Sequence, residues 1–239
     1  MVSDMEKIEF EHIPVMLSEC MEALNIRDGK TYVDCTAGGG GHSAAIAERM
    51  GSGRLISLDR DDEAIAACRA RVSAVSPNAA VVKCTFDEIA SALDSVGVGS
   101  IDGVLWDLGV SSHQLDTPER GFSYMTDAPL DMRMDTGAAF CAADVVNTYP
   151  EKELSCVISE YGEEKFAQRI AAAIAAAREK APVRTTLELA DIVKNAIPAA
   201  ARRAAGNQKS GADGGHDARR TKHYDRLFQY RPDSDAAGV

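Results

Sequence analysis

Residues 31–43, TYVDCTAGGGGHS, constrain the fold more than any other stretch of the chain. Thr31, Tyr32 and Val33 suit a buried strand. Asp34, Cys35 and Thr36 then lead into the consecutive glycines Gly38, Gly39, Gly40 and Gly41, which end at His42 and Ser43. Residues 44–50 are rich in helix formers. A strand, a glycine turn and a helix start bring free backbone N–H groups and a helix N-terminus to one point, an arrangement that receives a nucleotide-type ligand. The glycines let the backbone turn tightly and approach a bound molecule without Cβ clashes. A flexible turn is the plain alternative, and the flanking strand and helix argue against it. His42 by default faces solvent at a helix start; its place beside the glycines makes ligand contact the competing expectation.

Downstream the chain alternates. Residues 12–24 carry Val15, Leu17, Cys20, Met21 and Leu24 at helical spacing, with Pro14 near the first turn. A turn at 25–30 precedes the first strand, and Gly51 and Gly53 end the helix after the glycine loop. Residues 54–59, RLISLD, read as a second strand ending in an acid. Residues 61–73 predict a helix with Ala64, Ile65, Cys68 and Val72 on one face, its N-terminus favoured by Asp61 or Asp62. A third strand is predicted over 79–86, a helix over 87–96 and a fourth strand over 101–108. Such alternation predicts an α/β fold: a parallel sheet with helices on both faces, right-handed crossovers and a ligand site at the carboxyl ends of the strands. Gly38 to His42, Asp59, Phe86 and Asp107 all fall at such ends.

Residues 109–134 are too polar and broken to predict a regular element, but Leu115, Phe122, Tyr124, Leu130 and Met132 argue that the stretch is ordered. Helices are predicted from 144, over 151–160 and over 163–180. A further helix opens at Thr185 with a Thr185/Glu188 capping box. Residues 207–239 hold one Leu, one Val and no Ile or Met, too little apolar surface to offset ordering entropy, so disorder is expected there.

The net charge of -11 counts against a free-standing binder of bare nucleic acid, though not against an enzyme docking locally on a folded particle. Cys20, Cys35, Cys68, Cys84, Cys141 and Cys156 form no CxxC pair, which predicts neither zinc nor disulfides and points to a reducing cytoplasm. Residues 1–12 lack the pattern of a signal peptide, and no apolar run approaches the roughly 20 residues that span a bilayer, so no membrane partner is expected. Oligomeric state leaves no mark in the sequence.

Asp59 lies 19 residues past Gly40, where an acid accepts hydrogen bonds from the ribose hydroxyls of an adenosine-containing cofactor. That feature serves NAD as well as S-adenosylmethionine; a surface aspartate opening a turn is the plain alternative. Phe86 is either core packing or a stacking surface for a purine. Asp107 follows Val104, Leu105 and Trp106 and is directed at the cleft, suited to a cofactor amino group or a substrate amine. Arg120 and Arg133 are candidates for phosphate contact, although exposed arginines more often form a solvated face. No Ser-His-Asp triad, metal cluster or P-loop is recognisable, and no general base is assigned.

The motifs together resemble one family. Asp34-x-x-x-Gly38-x-Gly40 has the spacing of the first methyltransferase motif. HIPVML at 12–17, DCTAGGGGHS at 34–43, DGVLWDLGVSSHQLD at 102–116 and RGFSYMTDAPLDMRMD at 120–135 closely resemble the bacterial 16S ribosomal RNA cytosine-N4 methyltransferases. YGEE at 161–164 and TTLELA at 185–190 match as well. The resemblance implies S-adenosylmethionine as cofactor and N4 of a cytidine in the 16S rRNA of the small ribosomal subunit as target. It implies a Rossmann-like methyltransferase sheet, its N-terminal half in residues 1–108. Residues 109–206 then form a loop and an inserted helical domain, and 207–239 a divergent tail. The family's cofactor contacts fall on Gly40, Gly41, His42, Asp59, Phe86, Asp107 and Gln114.

The family's later strands are not recognisable after about Asn207, which suggests a truncated or frame-shifted reading. A sheet without those strands leaves an edge uncovered, so weak stability and reduced catalysis are expected. The competing functions are, from another class, a cofactor-binding remnant without turnover and, third, an NAD-dependent oxidoreductase, which shares the glycine loop and Asp59. The 107–134 stretch and the lack of a hydride-transfer site count against the latter.

Overall fold

The computed structural model describes residues 14–202, which divide into two compact units. The first runs to Ser112 and includes Met134–Thr136; the second comprises His113–Arg133 and the chain from Gly137 onward.

In the first unit β1 (Thr31–Asp34), β2 (Arg54–Asp59), β3 (Ala79–Lys83) and β4 (Gly103–Leu105) form a parallel sheet in the order β3-β2-β1-β4. The helices are α1 (Leu17–Leu24), α2 (Gly41–Arg49), α3 (Asp62–Ser73) and α4 (Ile89–Ser95). Side chains along a strand alternate between faces. Tyr32 and Leu55 accordingly pack with Met21, Ile46, Met50, Cys68 and Val72 of α1, α2, α3 and their ends. Val33, Ile56 and Leu58 pack on the opposite side with Ala92, Ile89 and Leu93 of α4. Each fully buried side chain of this kind stabilises the fold by about 1.5–3 kcal/mol. The chain builds outward from β1 to β3, then crosses back to lay β4 on the other side of β1. The carboxyl ends of β1 and β4 thus flank a topological switch point, where ligands of open α/β sheets bind.

The predicted α/β sheet is therefore present, with differences at element ends. β3 stops at Lys83, where its partner β2 stops at Asp59, and not at residue 86. Beyond it Glu88 accepts the Thr85 amide (3.0 Å), and Phe86 begins a 3-10 turn, Phe86–Glu88, instead of ending a strand. β4 spans three residues and not 101–108, because its partner here is the short β1 and the chain past Leu105 leaves the ladder. α1 starts at Leu17, preceded by Met16 in a left-handed conformation (φ 53°); residues 12 and 13 of the expected helix lie outside the described residues. Asp61 caps α3, its side chain accepting the Glu63 amide at 3.1 Å.

The stretch expected to lack regular elements contains α5 (Ser112–Asp116) and a 3-10 turn, Pro118–Arg120. Both are too short to leave a hydrophobic period in sequence. Leu130 and Phe122 are buried, and Leu130 N–H donates to the Arg184 carbonyl (2.9 Å) while Thr186 N–H donates to that of Ala128 (2.9 Å). In the same second unit α6 (Ala142–Thr148), α7 (Glu151–Glu160), α8 (Ala167–Arg178) and α9 (Thr186–Ala196) enclose a core of Leu130, Val146, Leu154, Ile158, Ile170 and Leu189, among others. α8 begins four residues later than the expected 163, since Glu163 adopts φ 49° and breaks the helix. The expected disorder of 207–239 lies outside the described residues. No helix among the described residues is long and apolar enough to cross a membrane.

The capping box that opens α9 is present: Glu188 accepts the Thr185 amide (3.2 Å), and Thr185 Oγ1 accepts the Glu188 amide (3.3 Å). Thr185→Ala is expected to lower stability by about 1 kcal/mol. Urea unfolding followed by helical circular dichroism measures it; an unmoved midpoint would contradict the role of the cap.

Candidate functional site

The glycine turn joins β1 to α2 at the switch point. Gly40 is the residue before the helix, at φ 78°, with its N–H donated to the Ala37 carbonyl (2.8 Å) and its carbonyl accepting the Ala44 amide (2.9 Å). A Cβ there would stand 2.9 Å from Cys68 Cα, and one on Gly41 would stand 2.3 Å from Pro14 Cγ. Neither position admits a side chain without displacing its neighbour. The amides of Gly41, His42 and Ser43 fall in the first turn of α2, where no intrahelical acceptor exists. They make an electropositive patch suited to a carboxylate or phosphate.

Asp34 is fully buried beneath this turn. Its Oδ2 accepts from Ser43 Oγ (2.6 Å) and its Oδ1 from the Thr36 amide (3.1 Å). Ser43 Oγ also lies 2.8 Å from Ser57 Oγ, and Ser57 is the β2 partner of Asp34 in register. Burial pushes the Asp34 carboxyl above the ordinary carboxylate range, against the pull of its hydrogen bonds to Ser43 and Thr36. This acid, the first of the recognised motif, braces the turn from inside.

Asp59 ends β2 half-buried. Its Oδ2 accepts the Gly38 amide (2.8 Å), and its Oδ1 accepts those of Arg60 (2.8 Å) and Asp61 (3.0 Å). Burial raises its pKa while these donors oppose the shift. A carboxylate has about four acceptor positions, so room for a further donor remains on Oδ2. His42 is buried and does not face solvent: its Nε2 lies within hydrogen-bond distance (3.2 Å) of the Val15 carbonyl. Its Nδ1 stands 4.0 Å from Asp107 Oδ2, and the Asp107 side chain is 55% exposed. The Asp107 amide donates to Thr36 Oγ1 at 2.8 Å.

Gly40, Gly41, His42, Asp59 and Asp107 are thus gathered around one turn. Phe86 lies two residues past Cys84, whose amide donates to the Asp59 carbonyl (2.9 Å), and the residue is 37% exposed, not core. Gln114 sits in α5, buried, and belongs to the second unit. Arg120 is buried and Arg133 holds Asp131 through two hydrogen bonds (2.9 and 2.6 Å), so neither forms the solvated face that was the plain expectation. Among the described residues no group of three or more His, Cys, Asp or Glu is placed to hold a metal ion. Thr36, Ser43 and Ser57 were not singled out by sequence. A lone serine between the apolar Ile56 and Leu58 of β2 was the available signal for Ser57.

Replacing the Asp34 carboxyl tests the brace. Because the folded pKa is raised, this group's stabilising contribution is full below its unfolded pKa of about 3.8 and is lost as pH rises through the folded value. Asp34→Asn is therefore expected to show its largest stability deficit in acid, shrinking as pH rises. Denaturant melts from pH 3.5 upward check this, and a deficit that grows with pH would contradict the assignment.

A model of the MraW methylase family matches residues 9–224, beyond the point near Asn207 where departure from the family pattern was expected. Curated relatives named ribosomal RNA small subunit methyltransferase H include the following. That of Symbiobacterium thermophilum is 51% identical over 213 residues, covering 89% of this chain and 64% of the relative. The Finegoldia magna protein is 47% identical, covering 90% and 66%, and that of Geobacter sp. (strain M21) is 52% identical, covering 80% and 62%. The chain thus spans just under two thirds of their length. A solved chain described as a putative rRNA-methylase from Clostridium thermocellum is 22% identical, covers 46% of this chain and 61% of its own, and has a TM-score of 0.37, too weak a likeness to carry any argument. With the glycine turn, the strand-end acids and the 102–135 stretch all inside the matched span, the chain belongs to the MraW methylase family.

Proposed function

We propose that the chain acts in the cytoplasm as an S-adenosylmethionine-dependent methyltransferase. Its target is N4 of a cytidine in 16S rRNA within the small ribosomal subunit. The observation that carries the cofactor assignment is the glycine turn with Asp59 on one side and Asp107 on the other, at the switch point of the sheet. The names of the relatives support a ribosomal RNA of the small subunit as target, and the resemblance of the sequence motifs supports the cytidine N4.

The residues suit the cofactor's parts. The first-turn amides of α2 receive its carboxylate, and the glycines allow backbone approach where a Cβ would intrude. Asp59 accepts from the ribose hydroxyls and Phe86 offers a partly exposed side chain to the purine, while the family resemblance adds Gln114 to the cofactor contacts. When bound, this cofactor supplies an electrophilic methyl group to the cytosine amine. Asp107 accepts a hydrogen bond from an amine, either the cofactor's or the target's. The protein's part is orientation and electrostatics, and no general base is assigned.

The second reading, a cofactor-binding remnant without turnover, is favoured by one observation. Among the described residues β4 pairs only with β1, so one of its edges is open. Radiolabelled methyl transfer to unmodified small subunits separates the two. The proposal expects label at a single cytosine N4, with Asp107→Ala lowering kcat/KM about 10- to 100-fold, the range for losing a hydrogen bond to a charged group. Cofactor binding without any label would favour the remnant.

A further inference from the structure

We infer that Thr36 is a positioning residue that fixes the backbone at Asp107 against the glycine turn. The inference rests on reading this cleft as a cofactor site. β4 ends at Leu105, whose carbonyl accepts the Cys35 amide at 2.9 Å. Past that point the flanking side chains do not anchor the chain, since Trp106 is 50% exposed and Leu108 67% exposed. The amide of Asp107 instead donates to Thr36 Oγ1 at 2.8 Å.

Thr36 is itself held on a rigid base. Its own amide donates to Asp34 Oδ1 (3.1 Å), and Asp34 is buried against Ser43 of α2, which reaches Ser57 of β2. One hydroxyl therefore ties the segment after β4 to a network that already joins β1, β2 and α2. The same segment carries the Asp107 carboxylate, which stands 4.0 Å from the buried His42 ring. Releasing the amide lets that carboxylate drift from the cleft while the glycine turn and Asp59 stay in place. Thr36 touches neither cofactor nor substrate in this account; it acts through Asp107.

Valine keeps the branched shape of threonine and removes the acceptor, whereas serine keeps the hydroxyl. Thr36→Val and Thr36→Ser are compared with wild type by three measurements: hydrogen exchange of the peptide containing Asp107 in the ligand-free chain, calorimetry with S-adenosylmethionine, and thermal melting. The expected result is exchange about fivefold faster and cofactor affinity about fivefold weaker in Thr36→Val, the scale of one ordinary hydrogen bond. Melting stays cooperative, and Thr36→Ser matches wild type in both readouts. Wild-type exchange in Thr36→Val overturns the inference, as does faster exchange with unchanged affinity. A Thr36→Val chain that no longer melts cooperatively, beside an intact Thr36→Ser, assigns the residue to folding alone and overturns it too. If wild type takes up no cofactor, the functional reading fails, and the exchange arm still decides whether Thr36 holds Asp107.

Discussion

A carboxylate removed from water is costly unless its lone pairs are satisfied, and Asp34 sits with no solvent exposure between β1, β2 and α2. Its partners are the means by which the turn is held: Ser43 fixes the first turn of α2, and Thr36 fixes the path out of β1. Ser57 extends the network to the neighbouring strand. On this face Tyr32 and Leu55 belong to an ordinary apolar layer, which gives way one pleat later to Asp34 and Ser57. Polar contacts are directional and apolar packing is not. The exchange from one to the other at the carboxyl end of the sheet is what gives the turn a defined geometry.

That geometry leaves the chemistry at the rim. Asp59 spends three acceptor contacts on the amides of Gly38, Arg60 and Asp61, so it shapes the turn and retains capacity for a ligand. Asp107 is tied through its backbone and leaves its carboxylate half in solvent. The buried Asp34 and the half-buried Asp59 hold the turn, and the carboxylate of Asp107 stands exposed at its rim. The chain carries a net charge of -11, so the proposed engagement of an RNA target would rely on local docking and not on a broadly positive surface.

Much of this was readable from sequence, for identifiable reasons. β2 was placed at its observed limits because RLISLD is buried on both faces and is bounded by Gly53 and Asp61. The strand-end positions of Gly40, Asp59 and Asp107 followed from counting alternations. What failed were lengths set by partners: β4 was drawn too long because nothing local says that β1 ends at Asp34. Phe86 was misplaced because Thr85 and Glu88 form a local cap that competes with the strand. Thr36 was passed over because its role depends on Asp107, 71 residues away, and no local pattern encodes that contact. His42 faces inward because of a carbonyl on the segment before α1, again a long-range partner.

This turn is proposed to bind S-adenosylmethionine, and not a nicotinamide dinucleotide that the glycines and Asp59 would equally suit. Titration calorimetry of the chain with each compound in turn is the most direct test. The account predicts saturable one-to-one binding of S-adenosylmethionine, weakened at least about tenfold by Asp59→Ala, a loss of the size expected for hydrogen bonds to a charged group. NAD should give no saturable heat. Saturable uptake of NAD with none of S-adenosylmethionine would contradict the account.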